Sequence, residues 1–474
     1  MDRSQRLGTE KIKPLLWSLS LPAMIGMLSV TIYNVADTIF IGHAVGTLGI
    51  AAISVSLPLM MSITTFGQAI GLGGASVISR ALGAGNKAKA QLTLHSLLTI
   101  IISINFILIT LAYLKAGFFL KLFGANDEIL PYAVQYVRWL LPGSFFLNIL
   151  FVSVHQIRAE GNARFPMFSQ ILGGVLNLIF DPIFIFGLGW GLMGAALASS
   201  ISQFVGFCLA MWYFTKNPKS VLKLNIRKLW ALPDKAITLE VLAIGASSFG
   251  RQIAGSIMSI VLNNALLRYG GAASIAAFGI INRITMFVFM PLFGLNQGFM
   301  PIAGFNYGAK KILRVLRGMK IAIIWSTSFC IATLILFFVF ANSIVSVFTT
   351  DKELIAMATK SLRIFILAFP VVGFQIVGSG LFQALGKAKA SMFLALARQV
   401  LFLIPFVLIF PKFWGENGIW FSFPISDFLA ASVTFLMVVN LVKKLKKEDK
   451  ENRRLNLEKA KTKPKFNLQD ETVL

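Results

Sequence analysis

Apolar residues in this chain come in stretches of about twenty, separated by short polar or glycine-rich breaks. A helix of about 20 apolar residues crosses roughly 30 Å of hydrocarbon. Twelve such stretches are legible, near 15–41, 50–80, 91–114, 130–157, 165–186, 192–215, 237–267, 275–305, 317–342, 354–383, 391–411 and 417–442. The pattern predicts an all-α integral membrane protein with twelve transmembrane helices. Composition excludes the soluble alternative. The 474 residues are 56% hydrophobic and 13% charged, against about 45–50% apolar in ordinary soluble chains.

The net charge of +25 could suggest nucleic acid, but its placement argues otherwise. With the N-terminus inside, the inner connections carry most of the basic residues. These include Arg3, Arg6, Lys11, Lys13, Lys87, Lys89, Arg158, Arg164, Lys216, Lys219, Lys223, Arg227, Lys228 and Lys235. Lys310, Lys311, Arg314, Arg317, Lys320, Lys387, Lys389 and the Lys-rich tail follow. The outer connections hold little beyond Lys115, Lys121, Arg268, Lys352 and Lys412. Cytoplasmic loops carry such an excess of Lys and Arg, so both termini are expected in the cytoplasm and the protein in the cytoplasmic (inner) membrane. Attraction to anionic membrane lipid, and no nucleic-acid partner, follows from the same distribution. Residues 1–14 are polar, and no small-residue cleavage site follows the first apolar run, so no removable signal peptide is expected. Cys208 and Cys330 lie in apolar stretches and read as small hydrophobes, with no disulfide or metal site implied.

The chain also repeats itself at about 225 residues. "SRALGAGNKAKA" at 79–90 returns as "AGFNYGAKKILR" at 303–314, "RAEGNARFPM" at 158–167 as "QALGKAKASM" at 383–392, and "WGLMG" at 190–194 as "WGENG" at 414–418. Six spans return a chain to its starting side, so the halves are two pseudo-symmetric six-helix lobes in parallel orientation. The predicted division is 1–215 for the first lobe, 216–236 for a cytoplasmic linker, 237–442 for the second lobe and 443–474 for a disordered cytoplasmic tail. Internal repeats of this kind are common in secondary transporters.

Asp181 stands inside "LNLIFDPIFIFG", where a charged Asp costs about 2.5–3.5 kcal/mol at the middle of a membrane helix. Counting at a 1.5 Å rise per residue, Asp37 (five residues before Gly42) and Asp181 (six before Gly187) fall at one depth, roughly 8–9 Å below the outer rim. Ser199 and Ser200, entering from outside in the sixth span, reach the same layer. Asn177 lies one turn below Asp181, and Tyr33 and Asn34 one turn below Asp37. Asp37, Asn177, Asp181 and Ser199 therefore form a candidate cation-coupling set, supported by Tyr33, Asn34, Ser200 and Gln203. Its oxygens suit a proton or a hard cation such as Na⁺, and two acids in one dry site cannot both ionise cheaply. No other metal is expected. Pro22 and Pro182 each remove a backbone donor inside a span and are expected to kink it.

The second half carries Arg251, Arg283, Arg363 and Arg398 within spans, with Asp427 as the main acid. The arginines pair with backbone carbonyls or Asp427, snorkel to the interface, or line an aqueous cavity. Gln252, Asn282, Arg283 and Gln375 are the candidate substrate-cavity residues. His43, His95 and His155 sit near span ends and read as interfacial. The glycines of "GLGGASVISRALGAGNK" lack the phosphate-binding G-x-x-x-x-G-K-[ST] pattern. No catalytic triad or zinc constellation is visible, so an enzyme and a nucleotide cofactor are not expected, and an ion gradient must supply the driving force.

"LGTEKIKPLLWSLSLPAMIGML", "YNVADTIFIG", "RAEGNARFPMFSQILGGVLNLIFDPIFIFGLGWGLMGAALASSISQ" and "QALGKAKASM" together make the chain resemble the multidrug and toxic compound extrusion (MATE) transporters, over roughly residues 7–440. The resemblance implies two six-helix lobes forming a V, and export of cationic lipophilic drugs in exchange for H⁺ or Na⁺. It is similar to the DinF-like branch, whose ion site lies in the N-terminal lobe. By motif position Asp37, Asn177 and Asp181 fall on that site, with Tyr33 nearby and Pro22 at the kink of the first helix. The family often has Thr where Ser199 or Ser200 stands here. The NorM-like branch has acids in the C-terminal lobe, where this chain carries Gln252 and Gln375. The resemblance implies a small organic cation as substrate and a monomer as the working unit. The wider superfamily supplies the alternative, a flippase of lipid-linked oligosaccharides.

Overall fold

A computed structural model describes residues 3–225, 229 and 232–461. Arg227 and Lys228 of the linker, and positions 462–474 of the tail, lie outside the described residues. The chain is almost wholly helical. The long apolar helices are Ile12–Gly46 (α1), Leu48–Gly83 (α2), Lys87–Leu114 (α3), Leu130–Ala159 (α4), Arg164–Gly187 (α5) and Gly191–Lys216 (α6). A 74-residue helical stretch, Lys235–Gly308, follows. Gly271 breaks it, at φ 70° and ψ −167°, into 235–270 (α7) and 272–308 (α8). Ile312–Ser346 (α9), Lys352–Ala384 (α10), Ala388–Ile409 (α11) and Pro411–Glu451 (α12) complete twelve spans.

The repeat is visible in the backbone. Gly46 (φ 69°) divides α1 from α2 as Gly271 divides α7 from α8. Both sit in a left-handed conformation that only glycine adopts freely. Gly85 (φ 76°) closes α2, and its equivalent after α8 is Lys310 (φ 57°), the one non-glycine residue with positive φ among the described residues. Both ends close in the same way. The Asn86 N–H donates to the Ala81 carbonyl and the Lys311 N–H to the Asn306 carbonyl, the six-to-one bond that satisfies orphan carbonyls at a helix C-terminus.

Three apolar cores give the molecule its shape. One joins the two halves, packing Leu16, Ile78 and Leu94 with Phe299, Ile302 and Leu381. A second holds only first-half residues, such as Ile41, Leu59, Leu120 and Ile185. A third holds only second-half residues, such as Leu262, Ile281, Leu362 and Trp420. The shared core lies at the end of the helices where the basic connections gather, and the separate cores lie towards the other end. The six-helix lobes are therefore fused at the basic end and part towards the opposite one, a V.

Glycines make the fused end close. A Cβ on Gly83 would lie 1.9 Å from the Phe305 carbonyl oxygen, and one on Gly308 would lie 2.0 Å from the Arg80 carbonyl oxygen. Polar bonds clasp the same seam. Ser76 donates to the Gln383 carbonyl at 2.6 Å, Arg158 to Gln297, and Glu240 pairs with Arg80 at 2.9 Å and Lys89 at 3.0 Å. Large apolar side chains on the outer flanks, among them Phe106, Leu114, Ile335 and Val339, stay exposed. On a multi-pass membrane protein such faces meet lipid.

Glu160, one residue past α4, pins the start of the linker. Its buried carboxylate accepts from the Tyr213 hydroxyl, from Ser220 Oγ at 3.0 Å, and from the Val221 and Leu222 amides at 3.1 and 3.3 Å. Burial pushes this carboxyl above its ordinary range, although the four donors pull the other way. The folded protein thus holds the Glu160 proton more tightly than the unfolded chain. This contribution to stability is present at low pH and is lost as pH rises through the raised value. Glu160→Gln leaves one acceptor oxygen where there were two, so buried donors lose partners. It should cost about 1–3 kcal/mol, remove that pH dependence, and speed amide exchange at Val221 and Leu222. Exchange rates equal to wild type would show that the linker is held elsewhere.

The last helix differs from the expected disordered tail at 443–474. It continues as Pro411–Lys461. Lys, Glu, Leu and Arg dominate that extension and are good helix formers, so an apolar face is not required to carry the helix past the last span.

Candidate functional site

The polar layer of the first lobe is built by helices that meet near the open end. α5 carries Asn177 and Asp181 one turn apart, and both are fully buried, at 1% and 0% exposure. The turn after Pro182 widens into a π-helical segment, Ile183–Gly187, as expected where a proline withholds a backbone donor. Pro22 acts differently, since α1 keeps helical dihedrals through it and departs from them only at Gly46.

The Asn177 amide links two helices. Its Nδ2 donates to Asp181 Oδ1 at 3.2 Å and to Ser199 Oγ of α6 at 3.2 Å. Asp37 of α1 lies beside Asp181, close enough for the two carboxyls to interact. A carboxylate only accepts, so the two cannot hydrogen-bond to each other unless one carries a proton. Asp37 Oδ1, Asp181 Oδ2 and Asn177 Oδ1 are all buried without a partner. Unpaired buried oxygens are expensive, and a proton or a small cation would supply what they lack. The donor set, all oxygen with carboxyls included, fits either.

Tyr33 stands beside the cluster. Gly174 of α5 admits its ring, with Cδ1 3.1 Å from where a Cβ would be. The other supporting residues scatter. Asn34 is exposed and donates to the Val30 carbonyl of its own helix at 2.8 Å. Ser200 donates to the Trp139 carbonyl of α4 at 2.8 Å, away from Asn177. Gln203 packs against Gly143 of α4, and its Oε1 is buried and unpaired. The depth count also shifts. α1 ends at Gly46 rather than Gly42, so Asp37 lies nine residues, about 13 Å, from that end.

Tyr136 of α4 was missed by the sequence reading. It is buried and lies within electrostatic range of both aspartates. It enters six residues below the start of α4 at Leu130. The depth argument that selected Ser199 would have found it, had α4 been counted.

The second lobe shows no comparable gathering. Gln252, Asn282 and Arg283 are exposed and Gln375 is buried, and among the described residues no hydrogen bond joins any two of them. Arg398 forms a two-pronged pair with Asp427. Arg363 donates to the Phe338 carbonyl at 3.2 Å and lies over its ring. Neither side chain is presented free to a cavity.

Comparison with known proteins points to one family. The MatE family model matches twice, at residues 22–183 and 248–409, one arm in each lobe. The multidrug export protein MepA of Staphylococcus aureus (strain MRSA252) is 30% identical over 419 residues, covering 88% of this chain and 92% of the relative. A solved structure described as MATE in the bent conformation matches with TM-score 0.89 at 27% identity, covering 95% of this chain and 99% of that one. Another, described as the outward-facing conformation of a multidrug resistance MATE family transporter of the MOP superfamily, matches with TM-score 0.88 at 27% identity over 94% and 99%.

Proposed function

The chain belongs to the MatE family of multidrug transporters, and from that premise we propose that it is a secondary antiporter. It exports lipophilic organic cations in exchange for H⁺ or Na⁺, without covalent chemistry. The observation that carries this reading is the cluster of Asp37, Asp181 and Asn177, with three unpaired buried oxygens in one lobe. A ligand shifts a two-state protein only through a difference in affinity between the states. A carboxyl pair that is dry in one arrangement of the lobes and wet in the other supplies that difference for H⁺ or Na⁺.

The basic, fused end is the cytoplasmic one by the positive-inside rule. The arrangement described is then outward-facing, with the cluster towards the open side. Release of drug and entry of the coupling ion belong to this state. The reverse state requires the seam of Gly83, Gly308 and the Glu240 pairs to part. The lipid-linked oligosaccharide flippase is the second reading. It is disfavoured because Arg398 and Arg363 are already engaged, which leaves Arg251 and Arg283 for an anionic headgroup.

Purified protein in lipid vesicles tests the choice. Ethidium should move against its gradient when a pH or Na⁺ gradient is imposed, and the ion should flow the opposite way. Dye movement indifferent to both gradients would sink ion coupling. Transport of a lipid-linked sugar in place of dye would favour the flippase.

A further inference from the structure

A crevice of about 630 Å³ opens between the lobes, with Lys13, Trp17 and Met24 of α1 on one wall and Leu295 of α8, with Trp325 and Phe329 of α9, on the other. That volume lies within the range of ligand pockets, roughly 300–1,000 Å³. The walls are apolar except at one end. Trp17 and Trp325 meet edge to face at 5.1 Å across the lobe boundary, yet Trp17 remains 51% exposed. Ile324 and Leu21 beside it are exposed as well, so the crevice opens to the lipid side rather than to the interior of the V.

Its charged end lies in the basic half of the molecule. Lys13 is the one charged residue of the lining. A second cation lies on the facing helix. A Cβ on Gly318 of α9 would lie 3.8 Å from the Ile12 side chain, so α9 packs against the start of α1 one residue from Arg317 and one from Lys13. Arg317 is exposed and precedes the lining residue Ser328 by eleven residues. Eleven residues are about three turns, so Arg317 shares the helix face of Ser328. An apolar slot lined by Lys13, with Arg317 exposed on the same flank of α9, repels an organic cation. It matches a long alkyl chain bearing an anionic head, and anionic lipids enrich the leaflet that basic residues face.

We propose that this crevice is a binding site for an anionic phospholipid, one acyl chain lying between Trp17 and Trp325 and the phosphate between Lys13 and Arg317. The lipid touches α1 of the first lobe and α8 and α9 of the second at once. Its occupancy therefore favours the lobe arrangement described. The site requires only that the protein sit in a membrane and does not rest on the transport reading.

The test uses the full chain in phosphatidylcholine nanodiscs doped with phosphatidylglycerol whose acyl chains are brominated, a quencher of tryptophan emission. Quenching should saturate at low mole fraction, and brominated phosphatidylcholine should quench several-fold less. The difference should vanish in the Trp17→Phe/Trp325→Phe protein. It should fall several-fold in Lys13→Gln/Arg317→Gln and survive in Lys13→Arg/Arg317→Lys, which retains both charges. Equal quenching by the two lipids would reduce the crevice to ordinary lipid contact and overturn the site. So would unchanged selectivity in the glutamine variant, or displacement of the brominated lipid by ethidium.

Discussion

Asp37→Asn should bring ion-coupled export down to background while the protein remains folded and inserted. Asn has nearly the same volume, so packing is little disturbed, but it can neither share a proton with Asp181 nor balance a cation. Asp181→Asn should do the same. The informative measurement is the double variant. The two carboxyls belong to one buried cluster, and residues in one network show interaction energies of about 0.5–3 kcal/mol rather than additive losses. Dye efflux in Asp37→Asn/Asp181→Asn should therefore be no worse than in either single variant. Independent, multiplicative losses would mean two separate sites, and wild-type efflux in Asp37→Asn would remove the coupling role altogether.

Gly308→Val should disable the closed end. The new side chain meets the Arg80 carbonyl, 2.0 Å from its Cβ. The obstacle is backbone, so no side-chain rotation relieves it. Overpacking costs about 1–3 kcal/mol, enough to shift the balance between closed and parted seams by about fivefold to over a hundredfold. Spin labels at Asn86 and Lys310, in a background lacking Cys208 and Cys330, should report a longer and broader distance, together with loss of efflux. Gly117→Ala is the control, because nothing lies within 4 Å of a Cβ there. An unchanged distance in Gly308→Val would show that the seam yields without opening.

Adjacent residues show where the sequence stopped being informative about the site. Ser199 and Ser200 reach one depth, but neighbours on a helix point about 100° apart, and only the packing of α6 between α4 and α5 sends Ser199 to Asn177 and Ser200 to the Trp139 carbonyl. Tyr33 and Asn34 divide in the same way. Gly174 admits the Tyr33 ring, while Asn34 faces outward. Tyr136 was within reach of the depth count on α4, but nothing local marks a tyrosine near a span end as a neighbour of two carboxyls on other helices. The Asn177–Asp181 bond was legible, since residues four apart on one helix always share a face.

What the chain determined by itself was local or additive. Apolar length set the twelve spans, the placement of Lys and Arg pointed to an orientation, and the 225-residue recurrence set two lobes of one pattern. Each follows from transfer energy or charge summed along a segment, with no knowledge of its neighbours. The tertiary structure alone decided which ends of the lobes touch. That depends on carbonyls and glycines more than 200 residues apart, such as Arg80 against Gly308, and on whether two helix backbones can approach within van der Waals distance. The same packing decided that Asp37, separated from Asp181 by three intervening helices, stands beside it, because contact between distant segments is a property of shape and not of any stretch of sequence.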